Sequence, residues 1–223
     1  MIFTRAFSLI ILSFLTVLPA AAINPKEDPF EFGHHRVALD GAITSSSSYI
    51  LEASYHYMFN HYMGIGAGIG LNQSYSADAH PSGNNWEIDS DTSRPGNMYL
   101  HLSALFKTPS LPFRSISWGL MAEPGIALQV PYARCYVEDL GHLQVTNRHL
   151  LSTNKGQVFS ADARIGIYAN FNRIGISAGY ILTSFDINSY YRNFSYRGVS
   201  FDKFYPHRPV SHGAFLTLSY YLQ

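Results

Sequence analysis

Hydrophobic residues alternate with polar or small residues over several stretches of this chain. Within residues 159–171, every odd position is apolar, whereas the even positions include Asp162 and Arg164. Because successive side chains of a β-strand point to opposite faces, this pattern predicts a strand with one apolar face and one face that carries charge. The same period of two predicts eight strands: residues 34–43, 49–59, 62–71, 98–107, 116–126, 159–171, 174–184 and 212–223.

The connections between the predicted strands differ in length. Three are short turns: residues 60–61, 108–115 and 172–173. Four are longer and polar: residues 44–48, 72–97, 127–155 and 185–211. Short turns at one end and long loops at the other are typical of barrels that cross an outer membrane on tilted strands of about ten residues. We therefore expect an all-β fold, an eight-stranded antiparallel up-and-down transmembrane β-barrel with short periplasmic turns and long extracellular loops, in which closure leaves no strand edge unpaired.

One residue fits this barrel poorly. Pro124, in the fifth predicted strand, has no backbone N–H to donate to a neighbouring strand. We therefore expect it at a bulge or at the upper end of that strand.

The alternation does not say which face lies outside, since a secreted soluble barrel or sandwich would bury the apolar face. Two observations favour a membrane. The polar face carries few charges for a protein surface, and the apolar face has no Asp, Glu, Lys or Arg at its alternating positions. A lipid-facing charge costs about 2–4 kcal/mol at the bilayer midplane, so its exclusion is expected of a membrane barrel. Aromatic residues also gather near the strand ends, as interfacial girdles require: Tyr57, Phe59, Phe106, Trp118, Phe171 and Tyr220 at the short-turn end, and Tyr49 and Phe159 at the other.

The composition agrees with a membrane barrel. Of 223 residues, 13% are charged, against roughly a quarter in an ordinary soluble domain. Fifteen Lys and Arg residues balance 15 Asp and Glu residues, which argues against binding to nucleic acid. A single Cys excludes a disulfide scaffold.

The first 22 residues have the parts of a secretory signal peptide. Arg5 gives a short positive start, residues 6–18 form an apolar run, and small residues precede the expected cleavage site after Ala22. The domain organisation predicted from this is a signal peptide at residues 1–22, a periplasmic tail at residues 23–33 and a barrel at residues 34–223. Sec-type export would then deliver the chain to the outer membrane of a Gram-negative bacterium.

The signal peptide, the eight alternating segments and the order of short turns and long loops resemble small outer-membrane barrels such as OmpX and the transmembrane half of OmpA. Within that group the chain is similar to the barrel-only proteins of Bacteroidetes. The resemblance covers roughly residues 33–223 and lies in patterns rather than in signature motifs. It implies outer-membrane lipid and lipopolysaccharide as surroundings, and insertion by the outer-membrane assembly machinery, which recognises the last strand. That strand usually ends in an aromatic residue, whereas this chain ends Tyr220-Tyr221-Leu222-Gln223.

If the apolar face lies outside, charged side chains fill the barrel interior. Side chains just fill an eight-stranded barrel, and buried charges are tolerable only when they are paired. We therefore expect a polar network that plugs the lumen, with a gated proton or ion path through a narrow channel as the alternative. The predicted members of the network are Arg36, Asp40, Glu52, His56, His101, Glu123, Asp162 and Arg164.

Catalytic and metal-binding motifs are not apparent in the sequence. It has no HExxH and no CxxC, and the acidic segment at residues 87–91 lacks the Gly and terminal Glu of a calcium hand. Cys135, which falls in a predicted long loop, is expected to be an incidental thiol. A lipid A-modifying deacylase or acyltransferase is the enzymatic alternative, but no His falls near a Ser on the lipid-facing side of a predicted strand. We expect a non-catalytic protein without a cofactor or metal.

The fourth long loop is the most distinctive stretch, because residues 188–209 combine many aromatic residues with Arg. Such side chains are frequent anchors of binding surfaces, and Arg also pairs with phosphorylated sugars. The loop is therefore either an exposed platform that recognises an unknown extracellular ligand, or a protruding sheet that packs against lipopolysaccharide without a dedicated ligand. Arg197-Gly198 predicts a hairpin turn through which the seventh and eighth strands continue above the membrane. The expected recognition residues are Tyr190, Tyr191, Arg192, Phe194, Tyr196, Arg197, Phe201 and Phe204.

Overall fold

The computed structural model describes residues 33–76, 79–89, 93–113, 116–141 and 144–222. The predicted signal peptide, its cleavage site after Ala22 and the predicted tail up to residue 32 lie outside the described residues. The strands are β1 (His35–Thr44), β2 (Ser48–Met58), β3 (Met63–Ser74), β4 (Ser82–Gly83), β5 (Trp86–Ile88), β6 (Gly96–Lys107), β7 (Leu111–Phe113), β8 (Ile116–Gln129), β9 (Ala133–Gly141), β10 (Gln144–Thr153), β11 (Phe159–Phe171), β12 (Ile174–Thr183), β13 (Ser195–Tyr196), β14 (Val199–Ser200) and β15 (Ser211–Leu222). A single-turn 3₁₀ helix spans Tyr191–Asn193. Within the described ranges, no helix is long and apolar enough to cross a membrane.

Eight long strands close into one antiparallel barrel. They follow the order β1-β2-β3-β6-β8-β11-β12-β15, and β15 returns to pair with β1 along its whole length. His35 lies opposite Leu222, so the first and last barrel strands begin and end at the same rim, which we call the termini end. The predicted eight-stranded up-and-down barrel is confirmed. Some strands run further toward the opposite rim than the alternation predicted, because β3 ends at Ser74 and β8 at Gln129.

Pro124 lies inside β8 rather than at its end, and the expectation of a bulge is wrong. Its register with β11 is unbroken, with Pro124 opposite Ala163. The missing N–H instead affects the pairing with β6. Ser103 pairs with Gly125 and Phe106 pairs with Ala122, but the two residues of each strand between these pairs do not pair. The barrel thus tolerates a local gap in one ladder while the neighbouring ladder holds the register.

The barrel is apolar outside and polar inside. Ile167 and Leu216 point outward and are 56% and 59% exposed, whereas Glu52 and His56 point inward and are buried. A soluble barrel with an apolar core is therefore contradicted. Burial of this belt in hydrocarbon removes the cost of exposing it to water, and antiparallel closure pairs the backbone groups that would otherwise face lipid. The geometry is that of a membrane-spanning barrel.

Three of the long connections fold together above the other rim. Strands β4 and β5 come from the second long connection and strands β9 and β10 from the third, and they form one sheet in the order β10-β9-β5-β4. The fourth connection packs against this sheet. We call this assembly, made of residues 79–89, 133–141, 144–157 and 184–210, the cap.

The cap has a hydrophobic core of its own. The core includes Trp86 and Ile88 from β5 and Val137 from β9, each almost fully buried. Residues 133–137 alternate between this core and the outer face of the sheet, so the cap sheet follows the same period-two rule as the barrel. The third long connection, which was expected to be a polar loop, is therefore largely strand, and the second contributes the short strands β4 and β5.

Candidate functional site

An ion-pair network centred on Arg164 fills the middle of the barrel. The Arg164 Nη2 donates to Glu52 Oε2 at 2.7 Å, and its Nη1 lies 3.3 Å from Asp40 Oδ1 and 3.7 Å from Glu123 Oε1. One guanidinium group from β11 thereby contacts carboxylates from β1, β2 and β8 across the lumen. Burial of the charged Arg164 side chain is energetically tolerable only because these carboxylates lie close to it.

Two histidines connect Asp162 and Arg36 to this network. Nδ1 of His101 lies 2.9 Å from Glu52 Oε1, and its Nε2 lies 3.1 Å from Asp162 Oδ2, an ion-pair distance without hydrogen-bond alignment. His56 Nε2 lies 3.3 Å from Glu123 Oε1, and its Nδ1 lies 3.2 Å from Arg36 Nη1. The structure thus brings together all eight side chains that the sequence predicted for the lumen.

Several neighbours of this network were not among its predicted members. Tyr99 donates its hydroxyl to Glu52 Oε2 at 2.8 Å, and Ser103 donates to Glu123 Oε1 at 3.0 Å. Toward the termini end, Lys107 donates to the Tyr221 hydroxyl and lies 4.7 Å from the centre of the Tyr168 ring. The inward side of the alternation was the signal that could have found all of them.

The glycine row of β3 makes room for these large side chains. A Cβ on Gly66 would lie 2.3 Å from the His56 ring, and a Cβ on Gly70 would lie 2.2 Å from the Tyr99 ring. These distances are shorter than any real contact, so the rings occupy the space that side chains on β3 would need. A cavity of about 20 Å³ adjoins Asp162 and Arg164 in the part of the barrel that the structure describes. It has room for about one water molecule.

The aromatic residues of the fourth connection do not form the predicted exposed platform. Tyr190, Tyr191, Phe194 and Phe201 are buried in the cap core, and Phe201 stacks on Trp86 with ring centroids 5.8 Å apart. The physical reason is that the cap lies above the apolar belt, where water surrounds it. Its aromatic side chains are therefore stabilised by burial against one another. The prediction that these four residues are exposed binding anchors is wrong.

The other four predicted recognition residues also make internal contacts. Arg192 Nη2 lies 2.7 Å from Asp186 Oδ2, and Phe204 packs partly buried against the core. Asp139 of β9 accepts hydrogen bonds from Arg197 at 2.7 Å and from the Tyr196 hydroxyl at 3.1 Å. These contacts fasten the fourth connection to the cap sheet.

A tight hairpin is present at Arg197-Gly198, as predicted. Both residues have positive φ angles, 48° and 77°, which is the conformation of a type I′ turn and explains the glycine. The hairpin joins only the two-residue strands β13 and β14, which form a separate small sheet. The expectation that the seventh and eighth barrel strands continue through it is wrong, because β12 ends at Thr183 and β15 begins at Ser211.

Cys135 lies on β9 in the cap core and not in a loop. Its side chain is fully buried, and burial raises the pKa of its thiol to about 12. A thiol with such a pKa is protonated at neutral pH, and neither a nucleophile nor a metal ligand is expected of it. Within the described residues, no group of three or more His, Cys, Asp or Glu side chains has the arrangement of a metal site.

A Ser–His pair that the sequence analysis did not find lies at the rim below the cap. Ser45, just beyond β1, pairs with His212 of β15: the Ser45 N–H donates to the His212 carbonyl at 2.7 Å, and the His212 N–H donates to Ser45 Oγ at 3.2 Å. Both residues are exposed, and the His212 ring stacks on Tyr180. The pair escaped notice because residues 44–48 were predicted to be loop. Because Ser45 lies in the turn after β1 and not on a strand, this pair does not contradict the expectation that no His falls near a Ser on the lipid-facing side of a strand.

A polar groove opens on the cap beside the fourth connection. It has a volume of about 950 Å³. Lys155 and Gln157 line it from the third connection, and Asp186, Arg192 and Asp202 line it from the fourth. No local sequence pattern predicted this groove, because its walls come from segments that are separated along the chain.

Comparison with known proteins yields structural likeness only. No protein-family model and no curated protein sequence matches the chain. Among solved structures, it is similar to a major outer membrane protein from Thermus thermophilus (12% identity, 86% of this chain and 100% of that chain, TM-score 0.48) and to the outer membrane enzyme PagL (12% identity, 84% and 99%, TM-score 0.47). It is also similar to Ail, the attachment invasion locus protein of Yersinia pestis (12% identity, 85% and 99%, TM-score 0.38). Each TM-score lies below 0.5, and the fold therefore rests on the strand pairing of the chain itself.

Proposed function

We propose that this chain is an outer-membrane β-barrel protein of a Gram-negative bacterium, with the termini end in the periplasm and the cap outside the cell. The apolar belt and the concentration of long connections at one rim support this orientation. Outer-membrane lipid then surrounds the barrel, lipopolysaccharide surrounds the base of the cap, and the outer-membrane assembly machinery inserts the chain. Membership of the Bacteroidetes barrel-only group stays a prediction.

Within that membrane, the protein serves structure and surface recognition and neither conducts nor catalyses. One observation carries the proposal: charged side chains joined across the lumen occupy the barrel, while the cap above them is a packed unit with an accessible groove. A plugged barrel provides anchorage, and a rigid cap provides a surface that loses little entropy on binding.

Two experiments test these roles separately. In planar bilayers, the purified protein should show no steady conductance, with a general porin as the positive control; a steady large conductance would contradict the plug. For recognition, cells that display the full chain are compared with cells whose residues 186–210 are replaced by a short Gly-Ser linker. Adherence to immobilised mucin, matrix protein or other bacterial cells should depend on the cap. Equal adherence of the two strains to every surface would contradict a recognition role.

A lipid A-modifying enzyme is the second candidate, and the Ser45–His212 pair is the observation that favours it. Against it, Ser45 Oγ accepts a hydrogen bond from the His212 backbone, and the imidazole ring stacks on Tyr180. A catalytic serine needs its hydroxyl aimed at the base instead. Mass spectra of lipid A from a deletion strain, from that strain with the full chain and from that strain with Ser45→Ala should be identical. A mass difference that depends on Ser45 would establish the enzyme.

A further inference from the structure

We propose that the groove on the cap binds a short, uncharged oligosaccharide. This inference rests on the proposed recognition role and names the class of ligand. It concerns the space of about 950 Å³ between the end of the third connection and the fourth connection. That volume lies near the upper end of the roughly 300–1,000 Å³ that small-molecule sites span.

The charges that line the groove already neutralise one another. Arg192 lies 2.7 Å from Asp186 Oδ2 and 3.7 Å from Asp202 Oδ1, and His207 Nε2 lies 3.6 Å from the same Asp202 oxygen. Lys155 and Arg192 balance Asp186 and Asp202, so the lining has no net formal charge. A phosphorylated or sulfated ligand could pair with Arg192 only by breaking these ion pairs, whereas an uncharged ligand leaves them in place.

The remaining polar groups suit hydroxyl-bearing ligands. A hydroxyl group both donates and accepts, so it is recognised best where donors and acceptors alternate on one wall. The lining supplies serine hydroxyls, which do both, together with the Asn193 side-chain amide. These groups are Ser184, Ser189, Asn193, Ser195 and Ser200. The Gln157 amide is already used within the protein, because its Nε2 donates to the Phe159 and Ser184 carbonyls and its Oε1 accepts from the Asp186 N–H. The aromatic side chain of Phe194 is buried behind this wall and supports it.

The wall is held in place before any ligand arrives. Asp186 is buried, and its carboxylate accepts from the backbone N–H groups of Asn188 at 3.0 Å and Arg208 at 3.1 Å. Ser189 accepts from the Gln157 N–H at 3.2 Å, which ties the third connection to the fourth. Such preorganisation reduces the entropy lost on binding, which otherwise weakens the binding of flexible polar surfaces.

Titration calorimetry with the full-length mature protein tests the inference. The protein is kept in a detergent without a sugar headgroup, because a maltoside would itself compete for the groove. The probes are maltotetraose and chitotetraose, which are uncharged, and a heparin tetrasaccharide, which is sulfated. We expect at least one uncharged probe to bind, with an affinity that changes less than about twofold between about 50 mM and about 500 mM NaCl, since no ligand charge is screened.

Two matched variants locate the binding. Ser195 is exposed and lines the groove, and Ser195→Trp should fill it and weaken binding by at least roughly tenfold. Ser152 is exposed on β10 and does not line the groove, so Ser152→Trp should bind like the parent protein. If Ser195→Trp fails to fold, Ser200→Trp serves in its place, because Ser200 is also exposed, lines the groove and should weaken binding in the same way.

The outcomes separate this inference from the recognition role. Preferential, salt-dependent binding of the heparin tetrasaccharide would contradict the inference that the ligand is uncharged. The proposed recognition role of the cap would not be affected by this result. Equal weakening by Ser195→Trp and Ser152→Trp would place the ligand outside the groove and overturn the inference. If neither uncharged probe binds while Cys135 stays protected from thiol reagents, which shows that the cap is folded, the inference is overturned as well. Failure of the adherence experiment above would instead overturn the recognition role itself.

Discussion

The strongest prediction concerns Arg164, because this one side chain contacts three carboxylates. Substitution Arg164→Met keeps much of the length of the side chain and removes the charge. The Arg164 side chain is 3% exposed, and its guanidinium lies 2.7 Å from Glu52, 3.3 Å from Asp40 and 3.7 Å from Glu123. Removal of one partner from a buried ion pair costs about 3–5 kcal/mol, since the other charge is left uncompensated. The three contacts share one site and are not additive, so the same range of about 3–5 kcal/mol is expected for the whole substitution.

Urea unfolding in lipid vesicles measures this cost, with the folded fraction read from heat-modifiable migration on gels. A loss of about 3–5 kcal/mol corresponds to a change of roughly 10²- to 10⁴-fold in the unfolding equilibrium. The double variant Arg164→Met/Glu52→Gln removes one charge of each sign, and its loss should fall short of the sum of the single losses by at least about 1 kcal/mol. Arg197→Met is the matched control: the Arg197 side chain is 50% exposed, so water can replace part of its interaction with Asp139, and a loss below about 1 kcal/mol is expected. A loss below about 1 kcal/mol for Arg164→Met, or strict additivity in the cycle, would refute the argument that ion pairs hold the lumen together.

Three further predictions follow from the packing. Gly70→Ala places a methyl group 2.2 Å from the Tyr99 ring and should cost about 1–3 kcal/mol by urea unfolding, whereas Gly41→Ala, whose added Cβ meets nothing closer than Leu51 at 4.0 Å, should leave the midpoint unchanged. Because burial raises the pKa of Cys135 to about 12, its thiol should not react with maleimide at pH 8 in the native protein but should react after unfolding, and an introduced Ser152→Cys should react at once; equal rates would contradict the buried position. Phe201→Ala should cost the cap about 3–5 kcal/mol and open Cys135 to maleimide while heat-modifiable migration persists; loss of that migration would mean that the barrel depends on the cap.

The barrel could be predicted from sequence because one rule repeats eight times. Each strand alternates between hydrocarbon and a polar interior, so Ile165, Ile167 and Leu216 indicate the outside while Glu52 and Arg164 indicate the inside. The identity of the lumen residues follows from the same alternation. Their partners do not, because the contact between Arg164 and Asp40 depends on how strands far apart in sequence face one another across the closed ring. Pairing across the lumen is a property of barrel closure, and no local pattern specifies closure.

The cap was mispredicted because the alternation that marks its strands is local in sequence, whereas the segments that these strands pack against lie far away along the chain. Residues 133–137 alternate as clearly as a barrel strand, yet the sheet that they join draws strands from two separate connections. The aromatic core that covers that sheet comes from the fourth connection. Sequence alone shows that residues 188–209 are aromatic, and both an exposed platform and a buried core satisfy that observation. The deciding fact was whether another apolar face lay nearby to pack against.

The two environments of phenylalanine in this chain explain why composition could not decide the function. Phe159 is 71% exposed in the barrel, and Phe201 is fully buried in the cap. Both are removed from water, the first by lipid and the second by protein, so both satisfy the same free-energy requirement. Once the cap core has taken up the aromatic residues of the fourth connection, the chemistry that the cap still presents to the outside is that of Lys155, Asp202 and the serine-lined groove. A ligand that meets this surface therefore encounters hydroxyl, amide and compensated ionic groups rather than aromatic anchors, and the part of the loop most prominent in the sequence is the part least available for recognition.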